Sequence, residues 1–260
     1  MRSLYLSFRH GCLETSQLQG LTDALGKNRG LTSLAVDLGH ICFGDRSLRE
    51  NWTASALTRN TTLRTLNLSF DFSLIGNQTV VALADALGKN TGITSLFLSF
   101  SACRLDRHAI AALTRMCMVN QRLTSLGLDL SENVIDASDF KQLVDFLPTN
   151  TSLTSLSLTL SEQPLPGRSV FEALGLVRSS KHNNMLEVLG LALGANHNLR
   201  SLRLEVDGEH TRSQVKDFVA ALSSNAHLHE ASVEIDGDPL DLSKLFLHNR
   251  SGSLTKRADP

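Results

Sequence analysis

The amino-acid sequence predicts an α/β solenoid: strand–loop–helix units stacked in a row, each covering its neighbour's apolar face. Three observations lead there. One phrase recurs, as "ALTRNTTLRTLNLSF" ending at Phe70, "ALGKNTGITSLFLSF" at Phe100, "FLPTNTSLTSLSLTL" at Leu160 and "ALGANHNLRSLRLEV" at Val206. The first apolar residue of each phrase recurs at nearly fixed spacing, as Leu31, Leu63, Ile93, Leu123, Leu153, Leu199 and Leu228, with a single longer step from Leu153 to Leu199. Finally, 42% of the chain is hydrophobic but only 5% aromatic. A core built from one aliphatic type fits one environment used repeatedly, and a period of roughly 30 residues marks a repeat architecture.

The strands come first in each unit. After each anchor the pattern is L-x-x-L-x-L-x-Φ, as in Leu123, Leu126, Leu128 and Leu130. Apolar residues three, five and seven past the anchor alternate with polar ones, the period-2 signature of a half-buried strand. The seventh place is always apolar: Phe8, Leu38, Phe70, Phe100, Leu130, Leu160, Val206 and Ile235. Met1 stands one full period before Leu31, so the chain opens on the same strand. Twelve past the anchor an apolar residue returns (Leu13, Phe43, Ile75, Leu105, Ile135, Leu165), where the chain re-enters the core before its helix.

The helices follow. Ahead of each anchor runs L-x-x-A-L-x-x-N, as in Leu83, Ala86, Leu87 and Asn90; spacings of three and four put those apolar residues on one side of a helix. The asparagine three before the anchor recurs as Asn28, Asn60, Asn90, Asn120, Asn150, Asn196 and Asn225. Asparagine tolerates the left-handed backbone that ends many helices, so these residues are expected to be left-handed caps.

These motifs resemble leucine-rich repeats of the ribonuclease-inhibitor type, as found in NACHT-domain immune receptors and RanGAP-like proteins. The resemblance spans residues 1–236. It implies a right-handed horseshoe, with parallel strands on the concave face and helices on the convex face. The family usually has an Asn or Cys just past the strand that ties adjacent turns together. Eight past the anchor, where that residue is expected, this chain has Gly39, Asp71, Ser101, Ser131, Ser161, Asp207 and Asp236. Ser and Asp side chains make comparable bonds to backbone. The extra apolar residue at position seven and the shift to position twelve indicate a crossing lengthened by about two residues.

A single leucine-rich-repeat domain of about eight units is expected over residues 1–247, with an enlarged unit at 161–198 and a disordered tail at 248–260. The enlarged unit carries the breakers Pro164, Pro166 and Gly167 before "MLEVLGLALGAN" resumes the pre-anchor helix; "LEVLGLAL" as a degenerate strand is the alternative. Solenoids need polar caps on their end faces, and Met1 falls inside a strand. The chain therefore reads as truncated or continued, with end-to-end association through an uncapped N-terminal face. "DPLDLSKLFLHN" is expected to be a short closing helix.

No catalytic signature appears: no Walker motif, no G-x-G-x-x-G after a strand, no G-x-S-x-G, no H-E-x-x-H. With a net charge of −1 there is no basic stripe for nucleic acid, and no apolar run of membrane-spanning length occurs. The N-x-[ST] sequons at Asn51, Asn60, Asn67, Asn77, Asn150 and Asn249 follow from a repeat rich in Asn, Ser and Thr. Cys12, Cys42, Cys103 and Cys117 form no C-x-x-C pair, so a reducing, cytoplasmic setting is expected. Cys117 replaces a helix leucine and reads as core. One constellation is sharper: His10-x-Cys12 and His40-x-Cys42 stand one period apart and carry the residue types of a zinc site. Phe72 and Leu74 hold the same places in the next unit, which favours repeat inheritance, with Cys12 and Cys42 as buried thiols. Neither metal nor cofactor is expected.

The function expected is non-enzymatic: a protein-protein interaction module that binds its partner on the concave face. The resemblance suggests a fragment of a larger NACHT-type receptor, with a RanGAP-like GTPase-activating protein as the alternative. The partner is another protein, with no nucleic acid and no membrane. On the concave face implied by the resemblance, positions two, four and six past each anchor face outward and include Tyr5, Asp37, Asn67, Phe97, Asp129, Arg203, Glu205, Glu230 and Glu234. Tyr5, Phe97 and Arg203 are the expected anchors, because binding hot spots favour Trp, Tyr and Arg and large aromatic area. Trp52 falls in a helix and is expected to pack there.

Overall fold

The computed structural model describes residues 2–13, 15–43, 52–133, 135, 137–161, 185–208 and 210–242. Strand and helix alternate as the repeat requires. The strands of the main sheet are β1 (Ser3–Ser7), β3 (Ser33–Asp37), β5 (Thr65–Ser69), β6 (Ser95–Ser99), β7 (Ser125–Asp129), β8 (Ser155–Ser161), β9 (Ser201–Asp207) and β10 (Glu230–Ile235). Between them lie α1 (Thr15–Lys27), α2 (Trp52–Arg59), α3 (Asn77–Lys89), α4 (Arg107–Val119), α5 (Ala137–Val144), α6 (Met185–Gly194) and α7 (Arg212–Leu222). These eight strands lie side by side in chain order, every neighbouring pair parallel, and β11 (Asp238–Pro239) adds antiparallel to β10. A second, two-stranded ribbon joins β2 (Cys12–Leu13) to β4 (Cys42–Phe43).

The pairing register is the repeat itself: Leu34 faces Leu66, Leu66 faces Leu96, and Leu96 faces Leu126. Residues three, five and seven past the anchor point into a layer of leucines closed from behind by the helices. In α3 the buried face is Thr79, Val80, Leu83, Ala84, Ala86 and Leu87, the i, i+3, i+4, i+7 stripe read from the sequence. Burying one leucine fully is worth about 2 kcal/mol, and units with this core repeat along the chain. Phe70 and Phe100 replace leucine at position seven and stack inside the core, ring centroids 5.4 Å apart. Where the capping sequence is explicit the helix starts are too: Asp106 accepts from the His108 and Ala109 amides, and Thr211 with Gln214 forms a capping box.

The recurring asparagines act differently from the expectation. Asn90 (φ −71°) and Asn120 (φ −78°) are extended, not left-handed. Their side chains carry the role instead. Asn90 Nδ2 donates to the carbonyls of Leu57 (2.6 Å) and Asn60 (3.2 Å), while its Oδ1 accepts from the amides of Gly92 and Ile93 (both 2.9 Å). Asn60, Asn120, Asn196 and Asn225 repeat both halves of this arrangement, and Asn150 donates to Cys117 O while accepting from Ser152 and Leu153. Each side chain thus closes the helix end of the preceding unit and starts the strand of its own. The physical reason is burial: an extended backbone aims the amide between two turns whose polar groups no water reaches. Burial of Asn60 and Asn150 also fits the reading of their sequons as by-products of the repeat.

A second tie sits ten past the anchor rather than eight. Asn133 Nδ2 donates to Phe100 O (2.8 Å) in the preceding turn, and its Oδ1 accepts from Leu105 N (3.0 Å). Cys103 Sγ lies 3.0 Å from Phe70 O. The lengthened crossing moved the Asn/Cys place with it. Of the residues at position eight, Asp71 and Asp236 do accept backbone amides, from Ser101 and Gly208.

At the C-terminal edge, Asp236 (φ 54°) and Gly237 (φ 79°) make the doubly left-handed turn that Asp-Gly favours. It folds β11 over the outer edge of β10 and buries Leu242. So the start of "DPLDLSKLFLHN" is a strand, not the expected helix; residues 243–249 lie outside the described residues. Burial disfavours the Asp236 carboxylate, but His210 Nδ1 and the Gly208 and His210 amides outweigh it and hold its pKa below the ordinary value. At the other edge Leu4, Leu6 and Phe8 are only half-buried where their counterparts Leu34, Val36 and Leu38 are covered, and a cavity of about 380 Å³ opens beside Phe8, Leu13 and Leu21. "MLEVLGLALG" forms α6 and not a strand. The loop of the enlarged unit (162–184), the tail and the side chain of Trp52 lie outside the described residues.

The asparagine relay sets a graded expectation. Asn90→Ala strands two buried amides and two carbonyls, each costing about 1 kcal/mol or more, so it destabilises by roughly 2–4 kcal/mol in urea unfolding. Asn28→Ala, at a half-exposed site where the side-chain oxygen accepts from the Gly30 and Leu31 amides, costs about 1 kcal/mol. Equal losses for the two would remove the relay account.

The buried thiols set a second expectation. The Cys117 thiol is pushed up to about 12 by burial, and Cys103 to about 12 by burial first, against the bonds to Ser73. In the unfolded chain these thiols ionise near their ordinary 9. Their neutral forms therefore favour folding fully below pH 9, a contribution lost as pH rises towards 12. Iodoacetamide at pH 8 with peptide mapping should label both only after denaturation.

Candidate functional site

One face of the main sheet is covered by helices; the other is covered by none of the described residues. Because every pair of parallel strands is in register, the outward residues form three straight rows. Position two is Ser3, Ser33, Thr65, Ser95, Ser125, Ser155, Ser201 and Glu230. Position four is Tyr5, Ala35, Asn67, Phe97, Gly127, Ser157, Arg203 and Ser232. Position six is Ser7, Asp37, Ser69, Ser99, Asp129, Thr159, Glu205 and Glu234. Every candidate named from the sequence lies on this face, but they are not one cluster. Tyr5 and Arg203 share a row yet stand six strands apart, about 29 Å at the usual strand spacing.

The middle row holds the large groups. Tyr5 is 66% exposed and Phe97 38%. Phe97 lies across the strand β7, its ring over the missing side chain of Gly127: a Cβ there would meet Phe97 Cδ2 at 2.4 Å. A glycine in mid-strand thus seats the aromatic flat on the sheet. Asn67 and Arg203 are exposed in the same row.

The acidic residues divide into two kinds. Asp37 accepts from Gly39 N (2.9 Å) and faces Arg9 Nη1 at 3.7 Å. Asp129 accepts from the Ser131 amide (3.0 Å) and hydroxyl (2.7 Å) and from Ser99 Oγ (3.1 Å). Ser99 also meets Asp71, which accepts from Ser69 Oγ (2.9 Å). These carboxylates hold the strand ends together and are occupied by the protein's own donors. Glu205 and Glu234 differ: they face each other directly across β9 and β10, with Arg203 and Glu230 close by on the same face. Like charges opposed in a sheet repel, which leaves this corner best satisfied by a cation.

Where the strands end, the structure shows how the matched His10, His40 and Phe72 positions are used. His10, His40, Phe72, Ala102 and Glu132, nine past their anchors, share a left-handed backbone (φ 53° to 60°) and are linked by amides donating to the next turn. The rings of His10 and His40 stack with centroids 4.6 Å apart, and those of His40 and Phe72 at 4.7 Å with 4° between their planes. Stacked imidazoles aim their nitrogens along parallel planes, not at a common point, so the two histidines form a ring column continued by Phe72. Cys12 and Cys42 are register partners in the β2–β4 ribbon. Cys12 is exposed, not buried as expected; the Cys42 side chain lies outside the described residues. The described residues hold no group of three or more His, Cys, Asp or Glu fit for a metal ion.

None of the described helices is long and apolar enough to cross a membrane. No family model matches the chain, and no curated protein matches it. Among solved structures it is similar to leiomodin-1 actin-binding site 2, at 18% identity over 70% of this chain and 78% of that one, TM-score 0.35. It is also similar to the tropomodulin C-terminal domain from Caenorhabditis elegans, at 10% identity over 92% of this chain and 99% of that one, TM-score 0.45. Likenesses this distant assign neither partner nor activity; the chain's own geometry describes a repeat-type α/β fold with parallel strands.

Proposed function

We propose that the chain is a non-enzymatic protein-binding module, a leucine-rich-repeat horseshoe that takes a partner protein on the open, concave face of its sheet. The observation that carries this is the middle row: exposed Tyr5, Asn67, Phe97 and Arg203 on a rigid, register-locked surface that no described residue covers. Flat aromatic area with an arginine is the usual composition of a binding hot spot. Rigid strands present it at little entropic cost. Asp37 and Asp129, occupied within the protein, serve as supports for the face. Glu205, Glu230 and Glu234 are the contacts for a basic group on the partner, so the partner surface is apolar over β1–β6 and basic over β9–β10. The unbridged thiols of Cys103 and Cys117 support a reducing, cytoplasmic setting.

The reading is tested by capture with crosslinking and mass spectrometry, using wild-type chain, a Tyr5→Ala/Phe97→Ala/Arg203→Ala variant, and a control altered at the exposed helix residues Met118 and Leu191. The expected result is a protein crosslinked to the sheet face, lost in the triple variant and kept in the control. Loss in the control with retention in the triple variant would move the binding surface to the helices.

A further inference from the structure

The ring column stops abruptly. His10, His40 and Phe72 stack at near-constant spacing, and the following level is only the methyl of Ala102, half-buried, with Glu132 one level further on. At this ninth position the backbone does not change: Phe72 N donates to Ser101 O at 2.8 Å, Ala102 N to Ser131 O at 2.9 Å and Glu132 N to Ser161 O at 2.9 Å. The three levels are therefore held in line at strand spacing, about 4.8 Å each. Phe72 is 46% exposed, and from its ring to the Glu132 level is about two strand spacings, room for one planar group.

We propose that the level left open at Ala102, between the ring of Phe72 and the carboxylate of Glu132, seats one arginine side chain of a protein partner. This rests on the protein-binding reading and names the chemistry of one contact. The guanidinium is planar, stacks on an aromatic face and presents paired donors that fit a carboxylate. A lysine ammonium matches the charge without the plane; a tyrosine or tryptophan ring matches the plane but leaves Glu132 without a counter-charge. Glu132 makes no ion pair among the described residues, and Arg104, exposed two positions beyond Ala102, does not pair with it. Across the edge of the sheet, the net acidic character of the β9–β10 corner asks for the same kind of partner, one rich in arginine or lysine.

The test is a titration of the full chain, followed by ¹H–¹⁵N NMR, with N-acetyl-arginine amide, N-acetyl-lysine amide and N-acetyl-tyrosine amide. The arginine probe is expected to shift the Phe72, Ala102 and Glu132 amides saturably, and the lysine probe to bind at least about threefold more weakly. Ala102→Phe fills the level with a ring that the same backbone already carries at Phe72, and should abolish the saturable response. Glu132→Gln and Phe72→Leu should each weaken it by about threefold or more, which keeps the test decisive if Ala102→Phe folds poorly. Equal response to arginine and lysine, a response unchanged in Glu132→Gln and Phe72→Leu, or preference for the tyrosine probe would each overturn the proposal. No partner protein enters this titration, so its failure is separate from failure of the capture experiment on the sheet face.

Discussion

The structure depends on one hydrogen-bonding device used in turn after turn, the asparagine three residues before each anchor residue. Each strand–helix unit ends its helix with orphan carbonyls and begins its strand with orphan amides. Both ends are buried against the neighbouring unit, so water cannot satisfy them. One asparagine amide supplies two donors and an acceptor with two lone pairs, and in Asn90 or Asn225 all are used. Because the donors reach the preceding unit and the acceptor serves its own, the side chain also fixes the spacing between units. The straight rows of the open face and the ring column both inherit that spacing.

Much of this is legible in the sequence, and the failures have particular physical causes. The leucine pattern carries strands, helices and register together, because burial on one face forces period 2 in a strand and 3.6 in a helix. The asparagines stand out by position, but residue type alone does not separate a left-handed cap from a side-chain bridge: both need Asn, and only the extended φ of Asn90 and Asn120 decides. The turn-tying residue is expected at position eight, whereas Cys103 and Asn133 stand at ten, since the loop is lengthened before them and not after. Asp236-Gly237 is the sequence signal for a tight hairpin, masked by the helix-like residues beyond it.

The candidate site is legible in a weaker sense. Alternation says which residues face outward, and each of Tyr5, Asp37, Asn67, Phe97, Asp129, Arg203, Glu205, Glu230 and Glu234 does lie on the open face. Alternation does not say which of them are already engaged. Asp37 and Asp129 spend their oxygens on neighbouring amides and hydroxyls, a use visible only once the strand ends are placed. The ring column is half legible: the repeat places His10, His40 and Phe72 at the same point of successive units, but spacing does not say whether their side chains converge on a metal or stack as rings, and only the shared left-handed backbone decides.

Repetition also indicates where function should be sought. A position whose role is to hold the repeats together meets the same surroundings in every unit and so keeps the same residue type, as leucine and asparagine do here. A position free of that role is open to change, and the informative ones change in concert. Gly127 is one such departure: other units carry alanine or serine in that row, as at Ala35, Ser157 and Ser232, whereas glycine lets Phe97 lie flat on the sheet. Ala102 is another, an interruption in a column of rings at a position whose own backbone conformation is the same at His10, His40, Phe72 and Glu132. In both places a small residue stands beside an exposed aromatic ring: Phe97 lies over Gly127, and Ala102 follows Phe72 in the column. Contact surface of that kind adds little to the stability of an isolated chain and gains free energy only when a partner covers it.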